Sequence, residues 1–244
     1  MKFLVLQHAR VEHPASFRTL IEGAGHGWHP VHLDEGEPVP DTAELDDYDA
    51  LWVMGGPMDV WEEDAHPWLV PEKAFVRAAV TGGKPFFGLC FGHQILAEAM
   101  GGRCAPGTPE VGVMEVALTG AGRDSAFLDG MPARLTTLQW HGAEVAEAPA
   151  AATVLAGSPA CAVQAMAVGD TAFSAQFHLE VEPDTVDNWA AIPAYASALE
   201  KTFGAGGVDR LRADCAARMD AFQRDARLVW RNWCAACDIP AGEA

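Results

Sequence analysis

The segment Gly88-Leu89-Cys90-Phe91-Gly92-His93-Gln94 sets a thiol between two glycines, each two residues away. The apolar run Pro85-Phe86-Phe87 leads into it, and Ile95-Leu96-Ala97-Glu98-Ala99-Met100 follows with helical character. This pattern predicts a strand, a tight turn with the cysteine at its apex, and a helix. Glycines beside such an apex permit close approaches where a Cβ would clash. The same device holds the nucleophile exposed in a Gly-x-Ser-x-Gly elbow. A thiol at a helix start also sits near unpaired N–H groups and the positive end of the helix dipole, and both favour the thiolate. Burial as a small hydrophobe is the commoner use of cysteine. A nucleophilic role therefore requires a base elsewhere in the chain.

Nine histidines are available as that base, and the context of one is distinctive. Ser174-Ala175-Gln176-Phe177-His178-Leu179-Glu180 reads as a strand end, where residues two apart face the same side. A carboxylate at Glu180 can then fix the His178 tautomer and stabilise the imidazolium formed when a thiol gives up its proton. Gly55-Gly56-Pro57 ends another apolar run, Ala50–Met54, on the sheet edge where parallel folds place ligand sites. It reads either as a plain glycine turn or as a source of backbone N–H groups for an oxyanion, with the Phe91 N–H as second donor.

The elements that must position these residues alternate. Strands are expected at residues 3–7, 30–33 and 50–54, with helices from His13-Pro14 to about Glu22 and from His66-Pro67-Trp68 to about Thr81. Such alternation argues an α/β fold with a parallel sheet covered on both faces. Beyond Gly101-Gly102 the pattern turns β-rich, with strand-like segments at 111–118, 133–140, 153–155, 162–166 and 171–177 that extend the sheet with antiparallel pairs. Beyond Pro183 it is helical. Val208, Leu211, Cys215, Met219, Phe222, Ala226, Val229 and Trp233 form an apolar stripe at helical spacing, facing either the chain's own domain or a partner.

Composition narrows the function classes. The 244-residue chain carries a formal charge of −18, which disfavours a phosphate-tracking surface and hence nucleic acid. No apolar run approaches the ~20 residues of a membrane span and no secretory leader is evident, so a cytoplasmic location is expected. The six cysteines form no dense disulfide framework. Cys234-Ala-Ala-Cys237 lacks the second ligand pair of a zinc site and reads as two structural thiols, with no metal expected.

Taken together, Gly55-Gly56-Pro57, Gly88–Gln94 and Gln176–Glu180, in that order, resemble the class I glutamine amidotransferases. The resemblance implies a flavodoxin-like fold with a mixed, mainly parallel sheet flanked by helices. It places a glutaminase domain at residues 1–190 and a helical extension at 191–244, packed on the domain or on a partner. It further implies a triad of Cys90 as nucleophile, His178 as base and Glu180 as orienter, an oxyanion hole from Gly56 and Phe91, and no cofactor. Substrate contacts would come from Gly55 and Gln94 and, by a looser match, from the backbone of Gln139, Trp140 and His141 at the substrate's amino-acid end. Two departures stand out: Leu179 replaces the family's usual proline, and Phe91 is bulkier than the residue often found there. No Gly-x-x-x-x-Gly-Lys loop for ATP is present. The expected activity is glutamine hydrolysis through a γ-glutamyl thioester, with ammonia passed to a separate synthetase. The alternative is a self-sufficient γ-glutamyl hydrolase or peptidase. A non-catalytic binding protein on the same fold conflicts with the intact triad.

Overall fold

The computed structural model describes residues 1–242. Apolar side chains on both faces force the first strands into the centre of the molecule. β1 (Lys2–Gln7), β3 (Ala50–Val53) and β4 (Phe86–Leu89) are buried throughout, apart from Lys2. β2 (Gly27–His32) alternates in exposure and contains Pro30, which lacks a ladder N–H and suits an edge strand. α1 (Ser16–Gly23) and α2 (Leu69–Thr81) make the crossovers that the parallel pairs β1–β2 and β3–β4 require, and α3 (Phe91–Ala99) leads from β4 out of the parallel half. α1 begins three residues later than the sequence suggests, because residues 8–15 form a loop over the sheet edge.

After α3 the chain folds differently. β5 (Arg103–Leu118) and β6 (Arg134–Glu147) form a long antiparallel pair, with the short helix α4 (Gly120–Asp124) between them. β7 (Ala152–Gly157), β8 (Ala165–Val168) and β9 (Ala172–Ala175) follow on short connections. The nine strands run β2-β1-β3-β4-β9-β8-β7-β5-β6. The first five reproduce the 2-1-3-4-5 order of flavodoxin-like sheets. The sheet is mixed as expected but not mainly parallel, since β2 through β9 pair in parallel and the remaining four pairings are antiparallel. The cause is local: connections of a few residues close antiparallel pairs, whereas a parallel return needs a crossover of a dozen or more.

Four helices follow: α5 (Thr185–Ala190), α6 (Pro193–Phe203), α7 (Gly207–Ala216) and α8 (Met219–Ala236). The apolar stripe lies across α7 and α8, with Leu211, Cys215, Phe222, Ala226, Val229 and Trp233 all buried. Trp233 sits edge-on to Trp52 at 5.5 Å and to Phe87 at 5.7 Å, and its indole N–H donates to the Phe86 carbonyl at 2.9 Å. α8 thereby covers the face of β1, β3 and β4 opposite α2 and α3. Trp233→Ala should cost about 3–5 kcal/mol in urea denaturation, the usual range for emptying a buried tryptophan site. A loss below about 1 kcal/mol would mean that α8 docks without contributing to the core.

Candidate functional site

The C-terminal ends of β1, β3, β4 and β9 converge on one edge, and the candidate residues lie just beyond them. Cys90 joins β4 to α3 with φ 50° and ψ −102°, a conformation that L-residues avoid. The strain is on the order of 1–3 kcal/mol and persists only where the surroundings enforce it. Here the flanking glycines do so. A Cβ on Gly92 would fall 2.0 Å from the Val53 carbonyl oxygen, and one on Gly88 would fall 2.8 Å from the Gly92 carbonyl oxygen. α3 therefore starts in direct contact with the ends of β3 and β4.

His178 lies beyond β9 on a stretch that crosses to β6. Its N–H donates to the Leu138 carbonyl at 2.9 Å, and the Leu138 N–H returns the bond at 3.1 Å. The His178 ring holds Glu180 through Nδ1 and Oε1 at 2.5 Å, and Trp189 packs edge-on against it at 4.6 Å. Burial opposes the charged imidazole, yet the Glu180 carboxylate and the Cys90 sulfur outweigh it, and the His178 pKa is raised well above the ordinary value. The second Glu180 oxygen accepts from the Leu179 N–H at 2.9 Å, a bond that a proline at this position could not make. The Glu180 carbonyl is held by the Ser16 N–H at the start of α1.

The other five cysteines are thiols held in apolar surroundings. Burial pushes Cys161, Cys215 and Cys237 up to about 12, and raises Cys104 and Cys234 as well. Cys234 and Cys237 are free thiols, the latter bonded to the Thr171 carbonyl. Among the described residues, no three His, Cys, Asp or Glu side chains converge as metal ligands.

A pocket of about 410 Å³ opens above the thiol, lined by Gly56, Cys90, Gln94, Trp140, His141 and, from α6, Tyr195. Gln94 donates to the Gln176 side chain at 3.1 Å, and Gln176 in turn donates to the Cys90 sulfur at 3.5 Å. Neither the Gly56 N–H nor the Phe91 N–H has a protein acceptor among the described residues. Gly55 and Gln139 do not line this pocket, though their neighbours Gly56 and Trp140 do. Gln139 is turned into the core, bonded to Thr137 and Gln164, and the Gly55 carbonyl is bonded to His8. His93 is likewise structural. It spans Ser174 and the Val163 carbonyl, and burial lowers its pKa to about 3, so it stays neutral.

Motif reading missed a buried acidic cluster beside the array. Glu12, in the loop after β1, accepts from the Tyr195 hydroxyl at 2.5 Å, and burial raises its pKa against the opposing influence of His178. His8, from the same loop, pairs with Glu72 of α2 at 2.8 Å with both side chains fully enclosed. The available signal was positional: a His and a Glu just past the first parallel strand lie where such folds put ligand sites.

Residues 28–189 match the family described as "Glutamine amidotransferase class-I". The chain is 27% identical to gamma-glutamyl peptidase 3 of Arabidopsis thaliana over 86% of its own length and 82% of that protein. It is 34% identical to a glutamine-hydrolyzing GMP synthase subunit of Sulfurisphaera tokodaii over 57% and 70% of the two chains. A solved glutamine amidotransferase from Methylobacillus flagellatus superposes with a TM-score of 0.84 at 26% identity, covering 96% of this chain and 94% of that one.

The folded protein holds the His178 proton more tightly than the unfolded chain does. His178 therefore adds stability below the ordinary histidine value of 6.5 and loses it as pH rises through the elevated folded value. Glu180→Gln should bring the His178 titration down in an NMR experiment and shrink the stability lost above pH 6.5. An unchanged titration would mean that Glu180 does not govern this imidazole.

Proposed function

The chain belongs to the class I glutamine amidotransferases, and we propose that it hydrolyses the side-chain amide of glutamine through a γ-glutamyl thioester on Cys90. The observation that carries this reading is the strained Cys90 turn, which sets the thiol against the pocket and within interaction range of a His178 already held by Glu180. In the first half-reaction the Cys90 thiolate attacks the amide carbonyl carbon, and the carbonyl oxygen becomes an oxyanion. The free N–H groups of Gly56 and Phe91 are suited to receive it; loss of one such donor in comparable sites costs on the order of 10²–10³ in turnover. The intermediate collapses as the C–N bond breaks, and protonated His178 gives its proton to the departing ammonia. In the second half-reaction His178 takes a proton from water, which attacks the thioester and releases glutamate.

The same pocket carries Asp59 and Lys201, opposite charges that suit the ammonium and carboxylate of an α-amino acid. The likeness to a GMP synthase subunit supports a second protein that consumes the ammonia. A second reading, hydrolysis of γ-glutamyl peptides, draws support from the likeness to a γ-glutamyl peptidase across 86% of this chain.

A panel of glutamine and γ-glutamyl peptides separates the two readings. Glutamate release from glutamine should dominate and vanish in Cys90→Ala; turnover of the peptides with negligible glutaminase activity would favour the second reading. Absence of any release from either class would refute both. Lys201→Ala should raise KM several-fold with kcat little changed, whereas an unaltered KM would remove Lys201 from substrate recognition.

A further inference from the structure

The Gly55–Gly56 peptide is gripped from behind. His8 Nδ1 lies 3.1 Å from the Gly55 carbonyl oxygen. Since a carbonyl only accepts, Nδ1 carries the proton. The other ring nitrogen meets Glu72 Oε1 at 2.8 Å, and both side chains are shut off from solvent. Burial alone would strip the His8 charge, but the Glu72 carboxylate outweighs it and raises the His8 pKa, so both nitrogens are donors. Glu12, the remaining acid near His8, acts in the same sense. The ring is clamped sideways as well, stacked on Trp68 at 5.3 Å and edge-on to Phe91 at 4.7 Å.

A trans peptide is planar, so its carbonyl and the following N–H point in opposite directions. A carbonyl of Gly55 held toward His8 therefore aims the Gly56 N–H away from His8 and toward the pocket that Gly56 shares with Cys90. That restraint matters here more than elsewhere. With no Cβ on either side, a Gly-Gly peptide turns easily, and a donor that points the right way only part of the time stabilises an oxyanion correspondingly less. The fit is close: a Cβ on Gly56 would lie 2.7 Å from the His8 Cβ.

We propose that the buried His8–Glu72 pair is a latch that fixes the Gly55–Gly56 peptide plane and thereby holds the Gly56 N–H in position for the oxyanion. His8 is a positioning residue, since it acts through the backbone and not on substrate. The proposal rests on the assignment of Gly56 and Phe91 as oxyanion donors made above.

The test compares two double variants, each removing both charges together because one buried charge left alone threatens folding. His8→Leu/Glu72→Met leaves the Gly55 carbonyl without its donor. His8→Asn/Glu72→Met keeps an amide N–H near the place of Nδ1. Crystal structures should show the Gly55–Gly56 plane rotated in the leucine variant and retained in the asparagine variant. The leucine variant should lose roughly 10- to 100-fold in kcat, up to the full cost of a lost oxyanion donor. KM should hold, and the asparagine variant should recover most of the rate. Cys90 alkylation by iodoacetamide, which uses no oxyanion hole, should proceed at the unmodified rate in both. A plane that stays in place in the leucine variant overturns the latch. A rotated plane with kcat unchanged overturns the oxyanion assignment beneath it. Slowed alkylation in step with kcat would reduce the pair to general support of the fold.

Discussion

The start of α3 touches the carbonyl of Val53 so closely that nothing larger than a hydrogen fits on Gly92. The positive φ of Cys90 accompanies that contact, its sulfur lies against the pocket, and Gly88 has no room for a side chain beside the Gly92 carbonyl and the Phe86 ring. The contact also ties three strands into one unit, because β3 ends in the Gly55-Gly56 loop, β4 ends in Cys90 and the Cys90 N–H bonds to Ala175 at the end of β9. The strain at Cys90 is small against the burial of the apolar core that holds these ends together.

Buried charge is the second organising theme. Two His–carboxylate pairs, His178–Glu180 and His8–Glu72, lie near the Glu12 carboxyl. Enclosed ion pairs seldom stabilise a fold more than apolar residues of the same shape would. Their retention at one sheet edge is better explained by what they orient: an imidazole in one case, a peptide plane in the other. His141 belongs to a different arrangement, lying 3.3 Å from Glu110 within the β5–β6 hairpin, where Ser158 and Gln164 also bond Glu110.

The candidate residues could be picked out of the sequence because each motif that carries them is local. An elbow glycine, an alternating His-x-Glu and a Gly-Gly turn after an apolar run each carry their geometry in a few residues. The parallel half of the sheet was legible for the same reason. The balance of parallel and antiparallel strands was not, since it depends on how far β5 and β6 extend as a pair, and the register irregularity between Pro106 and Glu110 is a tertiary matter. Glu12, Tyr195 and the His8–Glu72 pair escaped notice because their partners are 183 and 64 residues apart in the chain.

His8, Glu12 and Tyr195 all fall outside the span 28–189 that matches the family, yet all three border the sheet edge that carries Cys90. The α6 wall of the pocket also lies beyond that span. The outer wall of the pocket and the residues behind the thiol are therefore carried by segments other than those that bear Cys90, His178 and Glu180. A lineage could exchange one acyl donor for another by remodelling the outer wall and keep the same thioester chemistry throughout.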